Sequence, residues 1–145
     1  MKNLNFKTIM FSGGGTGGSV TPLLAVAEEL LKDDKSLNLL FVGASDGPEK
    51  ELVDKFEAKK IKFITITSGK WRRYFSLNNF LDIFKIIYAF ASAFKILKQE
   101  KPALIMSAGS FVSVPLVWAA AVCRIPVLIH QQDIRPGLAH KLMAP

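Results

Sequence analysis

Short apolar runs alternate with stretches of helical spacing along this chain. The apolar runs predict five strands, at Lys7–Phe11, Leu37–Val42, Ile61–Ile66, Leu104–Met106 and Pro126–Ile129. Apolar residues three and four apart predict helices that begin at Thr21 or span Pro48–Ala58, Leu77–Gln99, Val112–Cys123 and Gly137–Met143. Thr21 is the expected N-cap of its helix, with Pro22 in the first turn. Strands therefore alternate regularly with helices.

This alternation predicts right-handed βαβ units and a parallel sheet with helices on both faces. The expected fold class is α/β, a Rossmann-like doubly wound parallel sheet, with one domain over residues 1–145. The segment Ala103–Cys123 carries no charged residue and could suggest a membrane span. Because Ser107, Gly109 and Pro115 interrupt it, a buried strand, a glycine turn and a packed helix are predicted instead.

Composition narrows the possible classes of protein. Apolar residues make up 50% of the 145 residues, which excludes a disordered tail. The single cysteine, Cys123, excludes an internal disulfide framework and a Cys-rich metal site, and favours a reducing cytosol. With 19 Lys and Arg against 12 Asp and Glu, the net charge of +7 indicates an anionic partner: nucleic acid, a phosphorylated substrate or a membrane surface.

The first strand is followed by the most informative loop, F-S-G-G-G-T-G-G-S-V-T-P over residues 11–22. Glycines between a strand and a helix let the main chain approach a ligand, and a helix N-terminus suits a phosphate. Gly13, Gly15 and Gly18 formally match the dinucleotide-binding fingerprint, but the acid that should follow the second strand, Asp46, comes late. The P-loop is excluded because no Gly-Lys-Ser/Thr follows. A tight strand-to-helix turn that binds no ligand is the remaining alternative interpretation of this loop.

Two further loops lie at the expected ligand-binding edge of the sheet. Ser107–Pro115 is a second turn rich in small residues, which helix–strand packing explains as well as a ligand does. The polar run His130–Asp133 follows the fifth strand. His130 could be a general base, a hydrogen-bond donor to a diphosphate, or simply a strand-end histidine.

Basic and aromatic residues combine before and within the longest helix. Trp71 stands beside Arg72 and Arg73, and Phe80 and Phe84 follow in the helix. A core helix explains most of the stripe of Phe80, Phe84, Ile87, Ala91 and Phe94. The apolar surplus together with the Trp/Arg loop nevertheless predicts an interfacial membrane contact at Trp71, Arg72, Arg73, Phe80 and Phe84. A nucleic-acid partner is ranked lower, because only this one stretch combines the two residue types.

Three segments together resemble the amino-terminal domain of the MurG family of peptidoglycan glycosyltransferases. They are Gly14–Pro22, Gly109–Pro115 and Ile125–Leu142. The resemblance implies the amino-terminal half of a two-domain GT-B enzyme of bacteria. Such an enzyme transfers GlcNAc from UDP-GlcNAc to undecaprenyl-diphosphate-MurNAc-pentapeptide, with inversion, as a peripheral protein on the cytoplasmic face of the cell membrane. We expect no cofactor, no metal-binding residues and no nucleic-acid partner.

Carried over by position, the resemblance also implies functional residues. The catalytic candidates are His130 and Asp133. The expected substrate-binding residues are Gly14, Gly15, Thr16, Gly17, Gly18, Ser19, Gly109, Ser110 and Gln132. Three positions depart from the family: Ser19 and Gln131 replace a histidine and a glutamate, and Ser110 replaces a glycine. These losses leave His130 and Asp133 as the available bases.

The same resemblance places most of the UDP-sugar site in a carboxyl-terminal domain that this chain lacks. The 145 residues are therefore expected to be inactive alone and to be either truncated or completed by a partner chain. The alternative hypothesis is a non-catalytic nucleotide- or phosphate-binding module, which the lost histidine and glutamate would explain.

Overall fold

A computed structural model of the chain describes residues 8–15, 17–44, 47–56, 61–66, 79–131, 134–135 and 137–144, with the main chain alone at 79–86. Strands and helices alternate along it. In chain order they are β1 (Thr8–Ser12), α1 (Gly17–Asp33), β2 (Asn38–Gly43), α2 (Pro48–Asp54), β3 (Ile61–Thr65), α3 (Asn79–Glu100), β4 (Leu104–Ser107), α4 (Ser113–Cys123), β5 (Val127–Ile129) and α5 (Leu138–Met143).

The five strands form one sheet in the order β3-β2-β1-β4-β5, and every neighbouring pair is parallel. The chain moves outward from β1 on one side to β3, then crosses to β4 on the other side of β1. The loops after β1 and β4 therefore leave their strands in opposite directions, which opens a crevice between them. The predicted doubly wound parallel sheet is confirmed.

Successive residues of the central strands point to opposite faces of the sheet. Met10 and Leu40 pack in a core with residues of α3 and α4, whereas Phe11 and Phe41 pack in a second core with residues of α1 and α2. Because parallel strands are covered on both faces, both sets of side chains are apolar. Burial of each such side chain contributes about 1.5–3 kcal/mol to folding. The two cores hold β1, and hence its following loop, in a fixed position.

The uncharged segment Ala103–Cys123 folds as predicted into a strand, a turn and a packed helix. It supplies β4 and α4, and most of α4 is buried. Arg124 ends α4 in the left-handed conformation, with φ of 56°. Across the described parts of the chain, we find no helix with the length and apolar character needed to cross a membrane.

The predicted start of the first helix is wrong. Helix α1 begins at Gly17, with Pro22 inside it, and Thr21 is not the N-cap. The Thr21 hydroxyl instead donates a hydrogen bond to the Gly17 carbonyl oxygen at 2.9 Å. Val20 is completely buried in the core beneath α1, so packing extends the helix one turn towards the glycines. Tertiary contacts here outweigh the Thr-Pro start signal.

The predicted core stripe of the longest helix is also partly wrong. Ile87 is 58% exposed, Ala91 is exposed as well, and Tyr88 between them is 64% exposed. The buried residues Ala89, Ala93 and Leu97 form the face that packs on the sheet and α4. Small side chains at two of these positions let α3 approach its neighbours closely, so larger side chains are left on the outer face.

Candidate functional site at the carboxyl ends of β1 and β4

The ends of β1 and β4 are tied together beneath the two glycine turns. Ser12 and Ser107 are paired in register as the last residues of these strands. The buried hydroxyls of Ser12 and Ser113 lie 2.9 Å apart, and the Ala108 amide donates to the Ser12 carbonyl oxygen at 3.2 Å. These contacts join the first strand to the start of α4. The base of the crevice is therefore built from short, buried polar groups rather than flexible side chains.

The first turn runs from Gly13 to Gly15 and leads into α1. Gly15 has a φ of 84°, a conformation that glycine adopts without strain, and it is exposed. The Ser19 hydroxyl donates to the Gly14 carbonyl oxygen at 3.1 Å and is buried. The residue that replaces the family's histidine thus bonds within its own loop. With Gly17 and Gly18 in the first turn of α1, the loop delivers main-chain N–H groups to the crevice.

A buried carboxylate, which the sequence analysis missed, supports this first turn. Glu49 lies in the first turn of α2 and is completely buried. Its Oε1 accepts a hydrogen bond from the Ala44 amide at 2.8 Å, and its Oε2 accepts a longer one from the Gly15 amide at 3.4 Å. Asp46, the acid that the sequence offers just after β2, lies outside the described residues. The sequence signal that could have identified Glu49 is the presence of two glycines, Gly43 and Gly47, shortly before it.

The second turn, after β4, contains Gly109 with a φ of 77°. Its amide donates to the Ser107 hydroxyl at 3.3 Å. The neighbouring Ser110 hydroxyl is buried, and within the described parts of the chain it has no hydrogen-bond partner. A buried polar atom without a partner is costly, so a ligand group is a physically reasonable partner for it. Ser110, predicted to bind substrate, therefore has a hydroxyl available at this turn.

The third loop joins the second turn through two histidines. The His130 amide donates to the Ser107 carbonyl oxygen at 2.7 Å, and His130 is half-buried at the end of β5. His140 of α5 lies with its Nε2 3.2 Å from the His130 carbonyl oxygen, and its ring occupies the space that a Cβ at Gly109 would need. His140 lies within the third segment, Ile125–Leu142, but is not among the predicted site residues. As one of the chain's 2 histidines, it could have been identified from composition.

The remaining candidates divide between described and undescribed positions. Gln131 lies beside the site, and its side-chain amide donates to the Arg135 carbonyl oxygen at 3.2 Å. Phe80 and Phe84 lie in α3, where the structure describes the main chain alone. The predicted residues Thr16, Trp71, Arg72, Arg73, Gln132 and Asp133 lie outside the described residues. Within the described ranges, we find no group of three or more His, Cys, Asp or Glu side chains arranged to hold a metal ion.

The fold and this site define a Rossmann-like domain with two glycine turns at its topological switch point, a place where anionic ligands bind. A sequence profile of the glycosyltransferase family 28 N-terminal domain matches residues 9–145. The chain therefore belongs to this family of glycosyltransferase domains. This membership favours a transferase over the alternative of a non-catalytic phosphate-binding module.

Individual relatives agree with the family assignment. One from Clostridium botulinum strain Langeland, named UDP-N-acetylglucosamine–N-acetylmuramyl-(pentapeptide) pyrophosphoryl-undecaprenol N-acetylglucosamine transferase, is 45% identical over 96% of this chain. A Clostridium kluyveri protein of the same name is 44% identical over 96% of this chain. This chain spans 38% of the length of each of these relatives. It is thus similar to one part of longer proteins.

Solved structures show the same likeness. The crystal structure of Acinetobacter baumannii MurG matches 95% of this chain and 38% of its own, with a TM-score of 0.77 and 30% identity. A UDP-N-acetylglucosamine 2-epimerase matches 94% of this chain and 38% of its own, with a TM-score of 0.64 and 16% identity. At that identity, the epimerase supports the fold alone. The resemblance to the MurG family drawn from the three sequence segments is confirmed.

Proposed function

We propose that this chain is the acceptor-binding half of an inverting N-acetylglucosaminyltransferase. The enzyme would transfer GlcNAc from UDP-GlcNAc to undecaprenyl-diphosphate-MurNAc-pentapeptide in bacterial peptidoglycan synthesis. The observation that carries this proposal is the pair of glycine turns at adjacent strand ends, in a chain 45% identical to relatives named for that transfer. A separate carboxyl-terminal domain would hold most of the UDP-sugar.

In this proposal, the acceptor diphosphate binds between the two glycine turns. The start of α1 brings main-chain N–H groups and a partial positive charge to this side of the crevice, and both favour a phosphate. Gly14 to Ser19 would line one side of the diphosphate, and Gly109 and Ser110 would line the other. The buried Ser110 hydroxyl supports this arrangement, because a phosphate oxygen would supply the partner that it lacks among the described residues.

The reaction is a displacement at the anomeric carbon of the donor. The acceptor sugar's hydroxyl oxygen would form the new bond to that carbon, while the bond to the UDP oxygen breaks and UDP leaves. A base must take the hydroxyl proton. His130 is suited to this role because an imidazole nitrogen can accept a proton from a hydroxyl and hydrogen bonding holds its main chain at the end of β5. Asp133 remains the second candidate, and Gln132 would contact the substrates nearby.

The proposed enzyme would work on the cytoplasmic face of the bacterial membrane as a peripheral protein. The net charge of +7 favours an anionic lipid surface. Ile87 and Tyr88 extend the predicted contact of Trp71, Arg72, Arg73, Phe80 and Phe84, since they are exposed about one helical turn after Phe84. An exposed apolar face beside basic residues is typical of interfacial helices.

A chimeric enzyme tests the proposed transfer directly. Residues 1–145 would replace the aligned segment of the Clostridium botulinum relative, and the product would be assayed with UDP-GlcNAc and lipid-linked MurNAc-pentapeptide. We expect the lipid-linked disaccharide and free UDP in equal amounts. His130→Ala should lower kcat by about 100-fold, as expected for loss of a general base.

Two controls make the chimera interpretable. A thermal unfolding transition matching that of the parental relative must first show that the chimera is folded. A folded chimera that makes no disaccharide would exclude the proposed function. The unmodified 145-residue chain should show little turnover with the same substrates, and robust turnover would contradict the need for a second domain.

A further inference from the structure

Glu49 links the loops that follow the two neighbouring strands β1 and β2. Its carboxylate accepts from the Ala44 amide after β2 and from the Gly15 amide in the first glycine turn. Both donors found in the described part of the chain are main-chain N–H groups. Both oxygens of this buried side chain therefore have a hydrogen-bond partner. The carboxylate thus fixes the position of the Gly15 amide relative to the sheet.

Three glycines make room for this carboxylate, one in the turn after β1, one at the end of β2 and one just before α2. A Cβ at Gly14 would lie 2.5 Å from Glu49 Oε1, and one at Gly43 would lie 2.6 Å from Glu49 Cγ. A Cβ at Gly47 would overlap Oε2. None of these three has the positive φ found at Gly15 and Gly109. A side chain at any of these three positions would therefore collide with Glu49. The backbone conformation itself would tolerate a side chain there.

We propose that Glu49 is a positioning residue for the diphosphate-binding turn. By holding the Gly15 amide against β2, it keeps the Gly13–Gly15 turn in the shape that presents the N–H groups at the start of α1 to the crevice. This proposal rests on the proposed function, because that function assigns the turn to a diphosphate. Glu49 itself does not touch the ligand. It acts through the geometry of the loop.

The charge of Glu49 allows this role to be distinguished from a simple electrostatic effect. A carboxylate near an anion site repels the anion, so neutralising it should tighten anion binding if the turn kept its shape. A positioning role predicts the opposite result. Glu49→Gln replaces one accepting oxygen by an NH₂ group that cannot accept from a main-chain amide, so one of the two hydrogen bonds that join the turn after β1 to the loop after β2 is lost.

The test measures binding of inorganic pyrophosphate to the full 145-residue chain by isothermal titration. We expect Glu49→Gln to weaken binding by about tenfold, the scale of one lost hydrogen bond to a charged group. Hydrogen exchange at the Gly15 amide should speed up in the same variant. Glu51→Gln is the matched control, since Glu51 is exposed on the same helix and its carboxylate hydrogen-bonds to Lys55 at 2.6 Å. It should leave both measurements unchanged.

A second variant covers the case in which Glu49→Gln does not fold. Gly47 has an extended backbone, with φ of −92° and ψ of 161°, which alanine also adopts. Gly47→Ala would displace the Glu49 carboxylate from outside the turn, so weaker pyrophosphate binding in this variant must be transmitted through Glu49. Equal or tighter binding in a folded variant of either kind would overturn the positioning role while leaving the proposed function intact. Failure of the unmodified chain to bind pyrophosphate would instead contradict the proposed function, and the positioning role with it.

Discussion

The two glycine turns begin alike but are held in different ways. Each follows a central strand, contains one glycine of positive φ and leads into a helix. The turn after β1 is closed from below by the Glu49 carboxylate, and the space around a Cβ at Gly15 is empty. The turn after β4 is closed by the His140 ring, which fills the space beside Gly109. Gly15 is therefore required only by its positive φ. Gly109 is required both by its positive φ and by the lack of room for a side chain beside the His140 ring.

The topological switch point between β1 and β4 thus combines an exposed turn, after β1, with a turn covered by a side chain, after β4. The exposed Gly15 leaves its turn open to a ligand, whereas Gly109 is covered by α5 through His140. The hydrogen bond between the Ser12 and Ser113 hydroxyls, and the one from the Ala108 amide to the Ser12 carbonyl oxygen, connect the two turns underneath. A ligand between them would therefore meet main-chain groups whose positions are set by buried contacts. Preorganised groups of this kind bind charge without the cost of reordering.

The largest effect should come from Gly109→Ala. Alanine is strained at a φ of 77°, and its methyl group would displace the His140 ring. We expect the free energy of unfolding to fall by about 3 kcal/mol from the two causes together. Chemical denaturation of the variant checks this value. A loss under about 1 kcal/mol would mean that His140 does not pack on this turn as described.

Gly15→Ala should have a smaller effect, because strain is its only cause. The φ of 84° penalises alanine, but nothing lies within 4 Å of the added methyl group. We expect a loss of about 1 kcal/mol in the free energy of unfolding. The ratio of the two losses, measured under the same denaturant conditions, tests the contrast between the turns. Equal losses of stability at Gly15 and Gly109 would show that the two turns are not held in different ways.

The two serines that depart from the family provide a third comparison. Ser19→Ala removes a buried hydrogen bond to Gly14 and should cost about 1 kcal/mol of stability. Ser110→Ala removes a buried hydroxyl with no partner among the described residues, so stability should not fall. Ser110→Ala should instead weaken pyrophosphate binding by about fivefold. If Ser110→Ala lowered stability without weakening pyrophosphate binding, Ser110 would have a structural role rather than the ligand-binding role proposed here.

The smallest effect concerns the outer face of α3. Replacing Ile87 and Tyr88 together by serine should weaken binding to anionic lipid vesicles by about threefold, because both side chains would be only partly buried in the lipid interface. Val122→Ser on α4 is the matched control, since Val122 is 65% exposed but lies on another helix. Vesicle sedimentation measures both. If Val122→Ser weakened vesicle binding as much as the α3 variant does, the proposed membrane contact at α3 would be contradicted.

Much of the fold could be predicted because its signals are local. The alternation of short apolar runs with helical spacing identified all five strands, and the glycines of residues 13–18 identified the loop at the switch point. The boundary of α1 could not be predicted, because burial of Val20 in the core opposed the Thr21–Pro22 signal. Local propensity is a weak guide wherever packing decides.

The errors at the site and in α3 have a common physical origin. Glu49 reaches Gly15 across 34 positions of sequence, so its role depends on the neighbouring placement of β1 and β2. His140 meets Gly109 only because α5 folds back onto α4. In α3, apolar residues occur on more than one face, and spacing alone does not reveal that Ala89 and Ala93 face the core. These features follow from the topology, which must be known first.

The central claim is that a diphosphate binds between the turns after β1 and β4. Titration of the isotope-labelled chain with inorganic pyrophosphate, followed by amide chemical shifts, tests it most directly. We predict saturable shifts at Gly15, Gly17, Gly109 and Ser110, with none at Ser36, which lies in the loop before β2 at the opposite edge of the sheet. Saturable shifts confined to that opposite edge, or no saturation at the two glycine turns, would contradict the claim.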